Sequence, residues 1–200
     1  MPINDNDTRV KRTKKLIRQG LAELSKTKSL SKITVKELTD LVEINRGTFY
    51  LHYKDIADLV ESIETNLYND LGEFINSVTP KSVIKKPIDV LEQYAKFCEE
   101  NKEVFVMLMG VHGDAEFIFK LTAHLDSRIY DLCKSFFPNM NQSLYDFATE
   151  YGKFAAVGLM NCWFYKHPEW TSRQVAELWL TLMTKGLNGM VENRPGGITI

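Results

Sequence analysis

Proline is scarce in this sequence, with six in 200 residues, and the four internal ones (Pro80, Pro87, Pro138, Pro168) fall between apolar stretches. That placement suits helix ends and starts rather than strands or turns in a sheet. No alternating apolar–polar stretch bounded by turn residues stands out, and no internal repeat is visible, which argues against all-β and solenoid architectures. Long apolar runs are also missing. None approaches the roughly 18–20 residues of a membrane span, and the opening MPINDNDTRVKRTKK lacks the apolar core of a secretory leader. A cytoplasmic location with no membrane partner is expected. Cysteine is sparse and odd in number: Cys98, Cys133 and Cys162 are widely spaced in apolar surroundings. They suit reduced, mostly buried thiols rather than a disulfide framework. HExxH, GxSxG, CxxC and a glycine-rich phosphate loop are all absent, and the four histidines are 12 or more residues apart. No metal site, cofactor or enzymatic activity is expected.

What is present begins with charge. The formal net charge is −1, but residues 1–54 hold 12 Lys and Arg against 6 Asp and Glu, a segment charge of +6, while residues 55–200 carry −7. A basic head on an acidic body points to a polyanionic partner for the head, or to a solvated basic tail. Charge alone leaves both open; the shape of the basic segment decides.

That segment reads as helices. Leu16, Ile17, Leu21 and Leu24 recur at three- and four-residue steps over about Thr8–Lys26, with Arg9, Lys11, Arg12, Lys14, Lys15 and Arg18 on the early turns. Lys26–Lys32 reads as a polar loop. Thr34-x-x-Glu37 spells a capping box that opens a second helix with Val35, Leu38, Leu41 and Val42 facing inward. After a break at Glu43-Ile44, Asn45 is a good cap for a third, short helix. Asp55 to about Val78 forms a longer helix with Ile56, Leu59, Val60, Ile63, Leu67, Leu71, Phe74 and Ile75 on one face. Pro80–Pro87 reads as a linker. Helices of roughly Ile88–Asn101, Val104–Val111, Asp114–Phe137, Ser143–Lys166 and Ser172–Val191 follow, and the tail from Glu192 has no periodicity.

Two short helices joined by a tight turn make a helix-turn-helix when the first is buried on one face and the second keeps an outer face of groups able to reach bases or phosphates. NRGTFYLHY meets the second condition with Asn45, Arg46, Thr48, Tyr50, His52 and Tyr53 outward. Phe49 is the inward anchor and Leu51 reads as core. Gly47 removes bulk where backbone approaches DNA, and Lys54 follows directly.

The stretch ITVKELTDLVEINRGTFYLHYKDIADLV resembles the DNA-binding domain of the TetR family, most closely at Ile33-Thr34-Val35, Gly47-Thr48-Phe49-Tyr50 and His52-Tyr53-Lys54. The detailed resemblance covers about residues 8–65; the rest matches in length and helical pattern. It implies an all-α chain: a three-helix helix-turn-helix DNA-binding domain at 1–54, extending to about 65, then a helical effector-binding and dimerisation domain at 66–200. It implies that Thr34 holds a phosphate, that Arg46 and Thr48 meet bases or nearby phosphates, and that Tyr50, Tyr53, Lys54 and His52 clamp the backbone. Tyr50 and Tyr53 also have a packing reading. Two departures matter. The family favours a small residue and then glycine at the turn, where Val42 and Glu43 stand; Glu43 predicts a strained or reshaped turn. Tyr53 and Lys54 are adjacent where the family tends to have one more residue between them.

In the body, the last two long helices are mostly apolar, and Ala155 and Gly158 permit close helix approach. Phe154, Ala155, Gly158, Leu159, Leu178 and Leu182 read as a homodimer face forming a four-helix bundle, as the resemblance also implies; a monomer core is the other reading. The resemblance places an effector core in the middle segment. There Tyr94, Phe97, Phe105, Met109, Phe117 and His124 are candidate pocket residues for an unknown small molecule, or plain core. The function implied is a ligand-responsive repressor binding a palindromic operator in double-stranded DNA, with an activator or co-regulator acting through a protein partner as the alternative.

Overall fold

A computed structural model describes the backbone of residues 8–114, 116–136 and 138–186, and their side chains except at Pro80, Val83, Ser135 and Phe136. The helices are α1 (Thr8–Ser25), α2 (Val35–Leu41), α3 (Arg46–Tyr50), α4 (Ile56–Ser77), α5 (Pro80–Lys85), α6 (Pro87–Glu100), α7 (Lys102–Met109), α8 (Phe117–Phe136), α9 (Gln142–Lys166) and α10 (Ser172–Lys185), with one 3-10 turn at Leu30–Lys32. Among the described residues there is no strand, and no helix is long and apolar enough to cross a membrane.

Three expected boundaries are corrected. The linker at Pro80–Pro87 is instead the helix α5. Thr79 caps it through its side chain, which accepts from Ser82 N–H, and Pro80 sits where a missing N–H costs nothing. The loop Lys26–Lys32 contains a helical turn whose Leu30 is buried, and Leu30 N–H donates to His112 O at 3.0 Å. Helix α8 starts at Phe117, not Asp114, because Asp114 belongs to the preceding turn: its N–H donates to Leu108 O, and its carboxylate accepts from Glu116 N–H. The expected helical residues 187–191, the tail from Glu192, and Phe137 lie outside the described residues.

The chain divides into two compact units, Met1–Asp70 with Lys102–Ala123, and Leu71–Asn101 with His124–Ile200. In the first, Ile17 and Leu21 of α1, Leu38 of α2, Phe49 of α3 and Leu59, Ile63 and Leu67 of α4 are buried. Each helix places its apolar residues three or four apart, so one stripe turns inward. Helices α1 and α2 meet at Gly20, where an added Cβ would lie 2.3 Å from Val42 Cγ1 and 2.9 Å from Leu38 Cδ1. Leu38 and Val42 thus form the row facing α1. Leu41, expected inward, is one residue out of that row and is exposed. Tyr68 of α4 stacks on Phe117 of α8, ring centroids 5.9 Å apart.

In the second unit α6 packs on α10. Ala95, Cys98, Val175 and Ala176 are buried, and Tyr94 meets Trp179 edge-on at 5.1 Å. Burial pushes the Cys98 thiol up to about 12. The same pair of helices is tied by Arg173 to Glu92 at 2.9 Å and by Ser172 Oγ, which donates to Glu99 Oε2. Lys153 of α9 is buried but bonded to both Asp126 and Glu150, so its charge is met. Of the three thiols, Cys98 is buried and Cys133 intermediate, but Cys162 is exposed. Cys162 therefore departs from the buried-thiol expectation, since it lies on the outward side of α9.

Candidate nucleic-acid interface

The three segments between Thr34 and Asp58 each have a local reason for their shape. Thr34 is extended, and its hydroxyl accepts from Glu37 N–H at 3.2 Å while Glu37 Oε2 accepts from Thr34 N–H at 2.9 Å, so the capping box is complete. Lys28 reaches Glu37 Oε1 at 2.6 Å. Hydrogen bonds from Lys28 and Thr34 hold the Glu37 carboxyl down to about 2. The Thr34 hydroxyl donates to Glu37 Oε2 at 2.8 Å, so in this arrangement its proton is already used.

Helix α2 ends at the turn the sequence marks as unusual. Glu43 has φ 54°, the single non-glycine residue in the left-handed region among those described. Ile44 N–H donates back to Thr39 O at 3.1 Å, a Schellman-type closure that needs such a residue. The glutamate therefore keeps the glycine-type turn at the cost of backbone strain. Asn45 then caps α3, its Oδ1 accepting from Gly47 N–H at 2.7 Å. A Cβ on Gly47 would sit 3.3 Å from that same oxygen, so glycine keeps the cap uncrowded.

Phe49 is 0% exposed, with Tyr50 edge-on at 5.6 Å and Tyr53 at 5.7 Å. Phe49 and Tyr53 are four residues apart and form the inward row. Tyr53 is 9% exposed and packs where the resemblance implies a backbone clamp. Leu51, expected in the core, is 64% exposed because it lies across the turn from that row. Tyr50 is 58% exposed, Arg46 and Lys54 are exposed, and Thr48 and His52 are intermediate. Lys54 is held by its own backbone: its N–H donates to Asp58 Oδ2 at 2.8 Å, and Asp58 N–H donates to Asp55 Oδ1 at 2.9 Å. A row of cationic, hydroxyl and imidazole groups thus stands on a short helix and the start of the next, anchored from beneath by two buried rings, Phe49 and Tyr53. Such a surface offers donors to phosphate oxygens and to base edges.

The body settles the family. Residues 85–185, half of the chain, match the model of a transcriptional regulator C-terminal region of TetR type. The chain belongs to the TetR family of transcriptional regulators. Over 98 residues it is 28% identical to the HTH-type regulator YxbF of Bacillus subtilis (strain 168), itself uncharacterized; the match takes in 47% of this chain and about a quarter (26%) of that relative's length. Among solved structures, a TetR transcriptional regulator from Streptococcus agalactiae 2603V superposes with a TM-score of 0.59 at 20% identity, covering 87% of this chain and 94% of that one. NalD, the secondary repressor of the MexAB-OprM multidrug efflux pump in Pseudomonas aeruginosa, gives 0.62 at 18% identity, covering 90% and 98%. The dihydroxyacetone kinase operon activator DhaS gives 0.56 at 15%, covering 86% and 93%. At these identities the likeness is one of fold.

The other candidate residues are divided between the two units. Phe105, Met109 and Phe117 belong to the first unit, where both phenylalanines are buried. Tyr94, Phe97 and His124 belong to the second; Tyr94 and Phe97 both pack on Phe74, and His124 is exposed. Of the proposed dimer residues, Phe154 and Gly158 are exposed, and Ala155, Leu159, Leu178 and Leu182 are half-buried. An added Cβ on Gly158 would meet nothing within 4 Å. The exposed row on α9 also holds Leu144, Phe147, Tyr151 and Tyr165, which the sequence reading left out of the dimer face. Their spacing of three, four and seven residues was the available signal.

Proposed function

We propose that this TetR-type regulator is a repressor that binds a palindromic operator as a homodimer and is released by a small-molecule effector. The observation that carries the DNA reading is the anchored outer row of α3 and the start of α4. Arg46 and Thr48 are assigned to bases and adjoining phosphates; Tyr50, His52 and Lys54 to backbone phosphates, with Thr34, Asn45, Gly47 and Tyr53 shaping the surface. The basic excess of residues 1–54 supports it, because phosphate contact is electrostatic and sequence-independent. The dimer reading rests on α9, whose exposed side presents Leu144, Phe147, Tyr151 and Phe154, with open space at Gly158. A dimer presents two identical heads, which is what a palindrome requires. Helix α4 is continuous from Ile56 to Ser77 across the division at Asp70 and Leu71, and is assigned the coupling between effector and head. The repressor sign follows NalD among the fold relatives; DhaS, an activator, has the same fold.

Gel shifts of the purified protein on its own upstream DNA test this reading. Affinity is expected to fall steeply between low and physiological salt. Tyr50→Ala with Lys54→Ala is expected to weaken binding to all sequences alike, and Arg46→Ala to relax base preference as well. Affinity indifferent to salt sinks the phosphate-contact model, and a reporter that loses expression when the gene is deleted sinks the repressor sign.

A further inference from the structure

Glu43 is held in a backbone shape that does not suit it. It joins α2 to α3 at φ 54°, in the left-handed region where a Cβ crowds the following carbonyl. The turn itself is closed by backbone, with Ile44 N–H donating to Thr39 O at 3.1 Å. The side chain takes no part in that closure. Glu43 is exposed, and its carboxylate has no hydrogen-bond or ion-pair partner among the described residues. Strain kept for a side chain that the fold does not use is a mark of function.

The position of the residue suggests the use. Glu43 lies two residues before Asn45, the cap of α3, and the N-terminal end of a recognition helix is the end that meets base edges. At that end Asn45 is already occupied, its Oδ1 accepting from Gly47 N–H at 2.7 Å. Glu43 and Arg46 are the exposed charged side chains there, and Arg46 too has no partner among the described residues. On duplex DNA a carboxylate is repelled by every phosphate, and in the major groove only the amino groups of bases attract it. Guanine and thymine present acceptors in that groove. Adenine presents an amino group with the N7 acceptor beside it, which opposes the second carboxylate oxygen. Cytosine presents its N4 amino group alone.

We propose that Glu43 is a base-reading residue, its carboxylate accepting from the N4 amino group of a cytosine in each stretch of operator that an α3 helix enters. Arg46 and Glu43 then form a pair of opposite readers, a donor fork for guanine and an acceptor for cytosine. Where that cytosine is missing, Glu43 faces phosphates and base acceptors only, so it lowers affinity for other DNA as well as favouring the right site. The proposal rests on the DNA-binding reading of the helix-turn-helix.

The test is selection of bound duplexes from a randomised pool by the full chain, as parent, Glu43→Gln and Glu43→Gly, followed by gel shifts on the selected sites. The parent pool is expected to carry a cytosine that both variants lose. Glu43→Gln, whose amide both donates and accepts, is expected to take adenine in its place. Replacing that cytosine pair is expected to weaken the parent about five- to a hundredfold and Glu43→Gly less than about twofold. Both variants are expected to bind unrelated DNA more tightly than the parent does. Glu43→Gln keeps a side chain on the strained backbone, so a turn that acts only through its shape leaves that pool like the parent's. Glu43→Gly relieves the strain and keeps a folded variant in the comparison should Glu43→Gln misfold. The proposal is overturned if the parent pool carries no such cytosine, or if either folded variant keeps it; loss of the cytosine upholds it with or without the adenine. A parent whose site preference depends on Arg46 and not on Glu43 removes this contact alone, whereas a parent that binds no duplex removes the DNA reading and this contact with it.

Discussion

Two glutamates of the helix-turn-helix hold opposite kinds of energy. Glu37 is a stabilising charge: Lys28 and Thr34 hold its carboxyl at about 2, against an ordinary 4.5. A folded value below the unfolded one gives stability that is present above pH 4.5 and lost as pH falls toward 2. Thermal melts of the parent are expected to decline across that window. Glu37→Gln should begin lower at neutral pH and lose less through the same window; equal slopes for the two proteins would refute the assignment. Glu43 is a strained backbone at φ 54°. Glycine tolerates that angle at no steric cost, offset in part by its larger entropy loss on folding. Glu43→Gly is therefore expected to raise urea-measured stability by about 0.5–1 kcal/mol. A stability unchanged or reduced would mean that the side chain contributes what its backbone loses. Both glutamates were visible in the sequence as departures or caps, because capping boxes and left-handed turns are specified within six residues.

At the scale of elements, the head depends on a contact no local pattern announces. Gly20 lets α1 approach Val42 and Leu38 within the reach of a Cβ. Gly20→Val is expected to force these helices apart, costing about 1–3 kcal/mol as overpacked cores do. Chemical denaturation measures the loss, and a gel shift of the variant should show weakened DNA binding at a temperature where it remains folded. No loss would mean that Val42 can rotate away. This contact shows where sequence reasoning stops. Helix periodicity located α1, α2, α4 and α6 to within a few residues, because each has a stripe wide enough to bury. It missed α5, whose six residues are too few for a stripe and whose signal is a cap followed by proline. It also turned Leu41 and Leu51 inward on hydrophobicity alone. Which residue of a short helix faces its neighbour depends on where the neighbour lies, and α3 has only five residues to average over. The outward positions of Arg46, Tyr50 and Lys54 were legible, since polar groups on a short helix have nowhere else to go.

For the whole molecule, the surface proposed for pairing is the exposed side of α9. Phe147, 77% exposed, and Phe154 sit seven residues apart on it. Burial of one such ring is worth about 1.5–3 kcal/mol, which is offset in part by the cost of association, so several rings are needed for stable pairing. Phe147→Glu is expected to shift the chain from dimer to monomer in sedimentation equilibrium and to cut operator affinity at a concentration where the parent is paired. A variant that stays dimeric would move the interface elsewhere. If the row pairs as proposed, it also makes the chain's persistence depend on its own abundance. In the proposed dimer the row is covered when subunits are plentiful and the fold gains the free energy of pairing; when they are few, the same rings are open to proteases and to other nascent chains. Under that proposed pairing the chain is expected to be cleared faster as it becomes scarce, so that a dip in its synthesis is amplified rather than smoothed.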